Sequence, residues 1–173
     1  MGLDPSLRST GYGIVGYDPA TDRVSLIEGG VIKSPTGMPL EERLVLIHDG
    51  ARALLSQFAP HVVAVEDLFT RWKNPRTAIL MAHARGALLL ACAETGVTVV
   101  PYAPRLVKNA IVGSGAARKE QIQARVQAIF QLVEPLEPND VADALALALT
   151  HIQRAYQRGA QVATRTIRTS EGA

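Results

Sequence analysis

Four acidic residues of this sequence stand beside apolar segments, where a carboxylate is costly. Asp4 follows the first apolar residues, and Glu66 ends the apolar run 62–65. Asp140 and Asp143 lie three residues apart at the head of another apolar stretch. Carboxylates next to core residues need a compensating charge, and several that converge repel one another. A divalent cation removes both problems, and hard cations such as Mg²⁺ take oxygen ligands. The pattern predicts a metal site if the fold brings these segments together.

Length and composition favour one domain with a sizeable core. The chain has 173 residues, of which 47% are hydrophobic and 20% charged. Its net charge of +2 is small, so any nucleic-acid surface must be a local patch. The single cysteine, Cys92, excludes an internal disulfide and fits a reducing cytosol. We therefore expect a cytoplasmic protein.

Charged residues also argue against a signal peptide and a membrane span. Asp4 and Arg8 interrupt the amino end, which is untypical of a signal peptide. The longest apolar stretch, 78–93, contains His83 and Arg85 and is short for a membrane span. We expect it to be a buried helix and expect no membrane association.

The elements that must position the acids follow from periodicity and turn residues. Strands are predicted over 11–17, 23–27, 31–33, 61–65 and 97–100. Helices are predicted from 40 to Pro60, over 75–95 with Asn74 as N-cap, from Pro104 to near Gly113, over 119–132, and from Asn139 to about Tyr156. Strands followed by alternating units indicate an α/β protein with a mixed sheet flanked by helices.

This architecture predicts where the acids lie. Asp4 and Glu66 would leave the carboxyl ends of neighbouring strands, and Asp140 and Asp143 would share one face of a first helical turn, where the helix dipole partly compensates their charge. The domain is predicted to span 1–157. The polar remainder, 158–173, is rich in Thr and Arg and is expected to be a disordered tail.

A loop after Glu66 mixes aromatic and cationic side chains. It contains Phe69, Arg71, Trp72, Lys73 and Arg76. Proteins that bind single strands use this mixture, because bases stack on rings while cations meet phosphates. The alternative is a solvated loop with one anchoring aromatic.

Four colinear blocks of the chain carry a family resemblance. They are Gly2-Leu3-Asp4-Pro5-Ser6-x-x-x-Thr10-Gly11-Tyr12-Gly13, Ala64-Val65-Glu66 with Phe69, Val107-Lys108 with Gly113-x-Gly115 and Lys119, and Asp140-x-x-Asp143-Ala144-Leu145-Ala146-x-Ala148-x-Thr150-His151. Through these blocks the chain resembles the RuvC family of Holliday junction resolvases, up to about residue 156. Relatives place several apolar residues before Gly-x-Asp, so either the first strand is abbreviated here or the start lies upstream.

The resemblance implies a ribonuclease-H-like fold with a five-stranded mixed sheet. It also implies a homodimeric endonuclease that nicks opposed strands of a four-way DNA junction, leaving 5′-phosphate and 3′-hydroxyl ends, in recombination and repair. Its cofactor would be Mg²⁺, two ions per site about 4 Å apart, with Mn²⁺ as a substitute. The family's metal-binding catalytic acids fall on Asp4, Glu66, Asp140 and Asp143. Partners would be the RuvA and RuvB branch-migration proteins.

The resemblance also assigns contacts with DNA. Lys108 and Lys119 match family lysines near the active site or the junction backbone, and Phe69 matches an aromatic at the opened junction centre. Arg118, beside Lys119, is a further candidate. Scattered surface charges are the alternative for all three cations.

Plainer interpretations of single residues remain open. The helix dipole alone accounts for first-turn acids such as Asp140 and Asp143, and a salt bridge to an arginine accounts for Glu66. His151 either supports the acids from behind or packs on its helix face. Helix 75–95 is apolar nearly all round, which favours a symmetric partner helix. Burial within the monomer is the alternative.

Two other function classes share parts of this pattern. ATPases and sugar kinases of the actin-like fold also begin with Gly-x-Asp and a Thr-Gly turn, but they need a second domain, for which 173 residues leave no room. A junction-binding protein that does not cut would keep the aromatic and basic loop without needing all four acids.

Overall fold

A computed structural model of the chain describes residues 1–68 and 75–170, with side chains up to residue 155. The strands in these ranges are β1 (Gly2–Asp4), β2 (Ser9–Asp18), β3 (Arg23–Lys33), β4 (Val62–Glu66) and β5 (Thr98–Tyr102). The helices are α1 (Leu40–Phe58), α2 (Pro75–Thr95), α3 (Pro104–Val112), α4 (Lys119–Ile129) and α5 (Asn139–Ser170).

The strands form one mixed sheet in the order β3-β2-β1-β4-β5. The short strand β1 lies at its centre, antiparallel to β2 and parallel to β4. Leu3 is in register with Val65, so the next residues, Asp4 and Glu66, leave neighbouring strands at the same edge. The predicted five-stranded mixed sheet is confirmed, including the placement of these two acids.

Side chains alternate between two faces of the sheet, each with its own core. In β4, Val63 and Val65 join the core under α1 and α2, whereas Ala64 joins the core with α3, α4 and α5. By the same alternation Glu66 lies on the face of Ala64, and Asp67 lies on the opposite face.

The prediction of two separate strands over 23–27 and 31–33 is wrong. β3 continues through Gly29 and Gly30 and pairs with β2 along its whole length, with one register shift between Ile14 and Val15. A Cβ on Gly30 would lie 2.6 Å from the Tyr12 hydroxyl. This glycine makes room for a neighbouring ring and does not form a turn.

The last helix is longer than predicted. α5 continues to Ser170, beyond the expected end near Tyr156, and residues 157–170 contain no proline that would interrupt it. The division into a domain over 1–157 and a disordered tail over 158–173 stays a prediction.

Helix α2 is only partly covered by its own chain. Its buried residues, Ala84, Leu88, Ala91 and Cys92, form one stripe towards α1 and the sheet. Ile79 and Leu90 are 58% and 55% exposed. Among the described helices, α2 alone has the length and apolar composition of a membrane span, with 22% of that window buried. Complete burial within the monomer, one of the two alternatives for this helix, is therefore wrong.

Candidate active site

Two glycines let helix α5 lie directly on β1, which carries Asp4, and on its neighbour β2. A Cβ on Gly2 would overlap the Ala144 carbonyl, and a Cβ on Gly11 would overlap the Asp140 carbonyl. Only glycine allows the two backbones to approach so closely. This contact sets the first turn of α5 against the carboxyl end of β1.

The close approach brings together three acids from two distant segments, β1 and α5. One carboxylate oxygen each of Asp4, Asp140 and Asp143 lies within 4.8 Å of the other two, and all three residues are half-buried. Glu66 does not belong to this set among the described residues, but it is near enough for its charge to act on Asp4. Three of the predicted acids thus meet in one cluster, and the fourth lies beside it.

Electrostatics show the strain of bringing these carboxylates together. Burial is the largest cause that raises the pKa of Asp4, which reaches about 8, and the negative charges of Glu66, Asp143 and Asp140 act in the same direction. Burial, and then the Asp143 charge, raises the pKa of Glu66 to about 7. Near neutral pH the cluster therefore retains protons unless positive charge is supplied.

Lys119 supplies part of that charge. Its Nζ lies 2.6 Å from Asp143 Oδ2. Burial lowers the pKa of Lys119, but the hydrogen bond to Asp143 and the charges of Asp143, Asp140 and Asp4 outweigh burial and raise it overall. This cation was predicted as a contact with DNA, and the structure places it against an acid of the cluster.

The other predicted cations differ in their relation to the cluster. Lys108 Nζ donates a hydrogen bond to the Ala117 carbonyl at 2.8 Å, and its charge opposes the rise of the Glu66 pKa. Arg118 is exposed where α4 begins, and its backbone N–H donates to Gln121 Oε1. Arg76 is exposed in the first turn of α2. The predicted contacts Phe69, Arg71, Trp72 and Lys73, with the N-cap Asn74, lie outside the described residues.

His151 does not contact the acids in this structure. Its Nδ1 lies 2.9 Å from the hydroxyl of buried Tyr102, and the two rings meet edge to face. Of the two alternatives for this histidine, packing on the helix face is the one observed.

Sequence reasoning missed Arg85 of α2. Its Nε donates a hydrogen bond to the Glu66 carbonyl at 3.1 Å, and its Nη2 lies 3.4 Å from Asp67 Oδ1. The signal in the sequence was a charged residue inside an otherwise apolar helix.

The fold and the cluster define a class of protein. A mixed sheet in this strand order, with carboxylates gathered at the ends of its central strands and on the helix that crosses them, is typical of ribonuclease-H-like, metal-dependent nucleases. The residues fit a divalent cation, because their ligands are hard oxygens and Lys119 offsets only part of their negative charge.

Comparison with known proteins gives the family. Residues 1–151 match the family model for crossover junction endodeoxyribonuclease RuvC. The chain belongs to this family, and the resemblance seen in its sequence is confirmed. A protein of Sphingopyxis alaskensis named crossover junction endodeoxyribonuclease RuvC is 44% identical over 151 residues, which cover 87% of this chain and 94% of that protein.

Comparison with solved structures also leads to RuvC proteins. Thermus thermophilus RuvC superposes with a TM-score of 0.81 at 38% identity, over 90% of this chain and 94% of the other. A structure of T. thermophilus RuvC in complex with Holliday junction substrate gives a TM-score of 0.82 at 38% identity, over 89% of this chain and 92% of the other. The ribonuclease-H-like fold is therefore confirmed.

Proposed function

We propose that this chain resolves four-way DNA junctions by paired, symmetric nicks in recombination and repair. One observation carries the proposal: Asp4 of β1 and the neighbouring pair Asp140 and Asp143 of α5 gather their oxygens within 4.8 Å. Such a cluster is costly in a folded chain and is explained by a cation that works on a phosphodiester.

The acids would hold two Mg²⁺ ions, with Mn²⁺ as a substitute. Asp4, Asp140 and Asp143 offer the central ligands, and Glu66 offers a further carboxylate at the edge of the cluster. When bound, the ions supply Lewis acidity for an attacking water and for the leaving oxygen. The carboxylates would bind and orient the ions, and the raised pKa values of Asp4 and Glu66 mean that cation binding would release protons near neutral pH.

The two lysines beside the cluster have distinct roles in this proposal. Lys119 holds Asp143, and with a cation on that acid its ammonium would be available to a phosphate oxygen of the DNA. Lys108 stays tied to the Ala117 carbonyl near Glu66, where its charge favours the ionised carboxylate. Arg118, exposed at the start of α4, would contact the DNA backbone farther from the cut.

The segment that joins Glu66 to α2 would reach into the open centre of the junction. Phe69 and Trp72 would stack on unpaired bases, while Arg71, Lys73 and Arg76 would meet phosphates. The segment begins directly after the acid cluster, so bases held by it would lie close to the strand being cut.

Two copies of the chain would act together. Ile79 and Leu90 leave an apolar surface on α2 that a second α2 can cover. A two-fold dimer presents two active sites to two opposed strands, which symmetric nicking requires. The expected setting is the cytoplasm, in association with the RuvA and RuvB branch-migration proteins.

The test is a synthetic four-way junction with one labelled strand at a time, incubated with and without Mg²⁺. We expect nicks at symmetric positions in two opposed strands, in Mg²⁺ only, while a linear duplex of the same sequence stays intact. Closure of the products by DNA ligase without prior phosphorylation checks for 5′-phosphate and 3′-hydroxyl ends. Bound but uncut junctions in Mg²⁺ would mean a non-cleaving binding protein and would contradict the proposal.

A further inference from the structure

Helix α2 carries a cation at an unexpected place. Arg85 lies between the buried residues Ala84 and Leu88, in a helix whose other inward side chains are apolar. Its side chain is 20% exposed. A guanidinium removed this far from water costs free energy unless acceptors are placed to receive it.

The acceptors belong to the end of strand β4. The Nε–H of Arg85 donates to the Glu66 carbonyl at 3.1 Å, and Nη2 lies 3.4 Å from Asp67 Oδ1. The same Asp67 oxygen accepts the Leu68 N–H at 3.0 Å. A planar guanidinium offers its donors in a fixed fork, so two acceptors held by one arginine are fixed relative to each other.

Strand β5 holds this segment from another side. Glu66 is in register with Tyr102, and the Asp67 N–H donates to the Tyr102 carbonyl at 2.9 Å. The strand end is therefore fixed by backbone pairing within the sheet and by Arg85 from the helical layer beneath it.

The Glu66 side chain leaves towards the acid cluster on the opposite face. Its carboxylate lies outside the 4.8 Å set formed by the other three acids, so its value as a ligand depends on its direction. Site geometry tolerates errors of only about 0.5 Å and 10–20°. The backbone at Glu66 sets this direction, and Arg85 holds that backbone.

We infer that Arg85 is a positioning residue for the metal site, which fixes the end of β4 and thereby directs the Glu66 carboxylate. The inference rests on the proposed nuclease function. It also links the helix that would form the dimer to one of the acids that would bind metal, because Arg85 of α2 contacts the backbone of Glu66.

The test compares Arg85→Gln with Arg52→Gln, a change at an exposed arginine of α1 in the same helical layer. Binding of Mn²⁺ to the protein alone is measured by electron paramagnetic resonance, and the metal concentration for half-maximal junction cutting is measured separately. For Arg85→Gln we expect Mn²⁺ affinity to fall by about 10–100-fold, as for other residues that support metal ligands. The metal concentration for half-maximal cutting should rise by the same factor. The junction affinity of Arg85→Gln in EDTA should match the wild type. The Mn²⁺ affinity of Arg52→Gln and its metal concentration for half-maximal cutting should also match the wild type.

A conservative variant keeps the test decisive. In Arg85→Lys a single ammonium can donate to the Glu66 carbonyl but lacks the fork, so we expect a Mn²⁺ affinity between wild type and Arg85→Gln. If Arg85→Gln does not fold, Arg85→Lys alone carries the comparison, and wild-type Mn²⁺ affinity in it would overturn the inference. A lower melting temperature of Arg85→Gln with unchanged Mn²⁺ affinity would also overturn it.

The two proposals fail in different ways. A wild-type protein that leaves the junction uncut in Mg²⁺ defeats the proposed function. The Mn²⁺ affinities of the wild type and the Arg85 variants need no cutting, so they judge the role of Arg85 by themselves.

Discussion

The helices on the two faces of the sheet differ in how tightly they pack. On one face, α5 rests on Gly2 and Gly11 so closely that a single methyl group would overlap its backbone. Residues 141–150 of this helix are buried except Asp143. On the other face, α2 leaves Ile79 and Leu90 largely exposed, and Gly86 has open space around it.

The two faces therefore suit different roles: the α5 face positions the acids, and the α2 face offers a surface for association. The α5 face places three carboxylates from two distant segments within 4.8 Å, which needs rigid backbone contact. The α2 face keeps apolar surface that its own chain does not cover, as a surface for a second copy would. Arg85 is the side chain of α2 that reaches the end of β4. The following changes test this separation.

The largest effect is expected from the acids of the α5 face. Asp143→Asn, Asp4→Asn or Glu66→Gln should lower junction cutting by about 10³-fold or more, because residues that act as one catalytic unit fail together. Junction binding in EDTA should persist, and gel shifts with cutting rates measure both. A variant that still cuts at the wild-type rate would remove its residue from the metal site.

A methyl group should act oppositely on the two faces. Gly11→Ala forces α5 away from β2 and should cost about 1–3 kcal/mol, a fall in melting temperature of roughly 2–12 °C, together with lost cutting. Gly86→Ala meets no atom within 4 Å and should stabilise its helix by about 0.5–1 kcal/mol. Calorimetry measures both, and equal tolerance of the two changes would argue against tight packing under α5.

Self-association should depend on the α2 face. Ile79→Glu should raise the dimer dissociation constant by about tenfold or more, equivalent to ~1.4 kcal/mol, because it buries a charge in the proposed interface. Ile27→Glu on β3 is a matched control, since Ile27 is 57% exposed and Ile79 is 58% exposed. Sedimentation equilibrium gives both constants. If Ile27→Glu dissociates the dimer and Ile79→Glu does not, the interface lies at the β3 edge and not on α2.

A separate effect concerns pH in the absence of metal. Folding raises the pKa of Asp4 from 3.8 to about 8, so the folded state binds its proton more tightly than the unfolded state does. Below about pH 4, ionisation of Asp4 therefore costs no stability. The free energy of unfolding falls as the pH rises from about 4 towards 8, and it stays low above pH 8.

In EDTA, the wild-type melting temperature should fall between about pH 5 and pH 8, by about 2–4 °C for each kcal/mol of penalty. Asp4→Asn removes the ionising group and should show a smaller fall, while Mg²⁺ should restore the wild type at pH 8. Parallel pH curves for Asp4→Asn and the wild type would mean that Asp4 carries no such penalty.

Local patterns were sufficient for most of the elements. Helix α2 begins at Pro75 and ends at Thr95, as proline and glycine punctuation predicts, and the apolar runs of β4 and β5 are strands. The pattern failed at Gly29 and Gly30, since the same glycine that ends a strand in one context makes room for a ring in another.

The sequence by itself determined which side chains are costly to bury, which segments form strands and helices, and, through its colinear motifs, the family. Only the tertiary structure decided that Lys119 meets Asp143, that His151 pairs with Tyr102, and that Arg85 holds the end of β4. These contacts join residues far apart in the chain, and their geometry depends on how closely helices approach the sheet. Periodicity reports the face on which a side chain lies, but the partner it meets across that face depends on packing between elements.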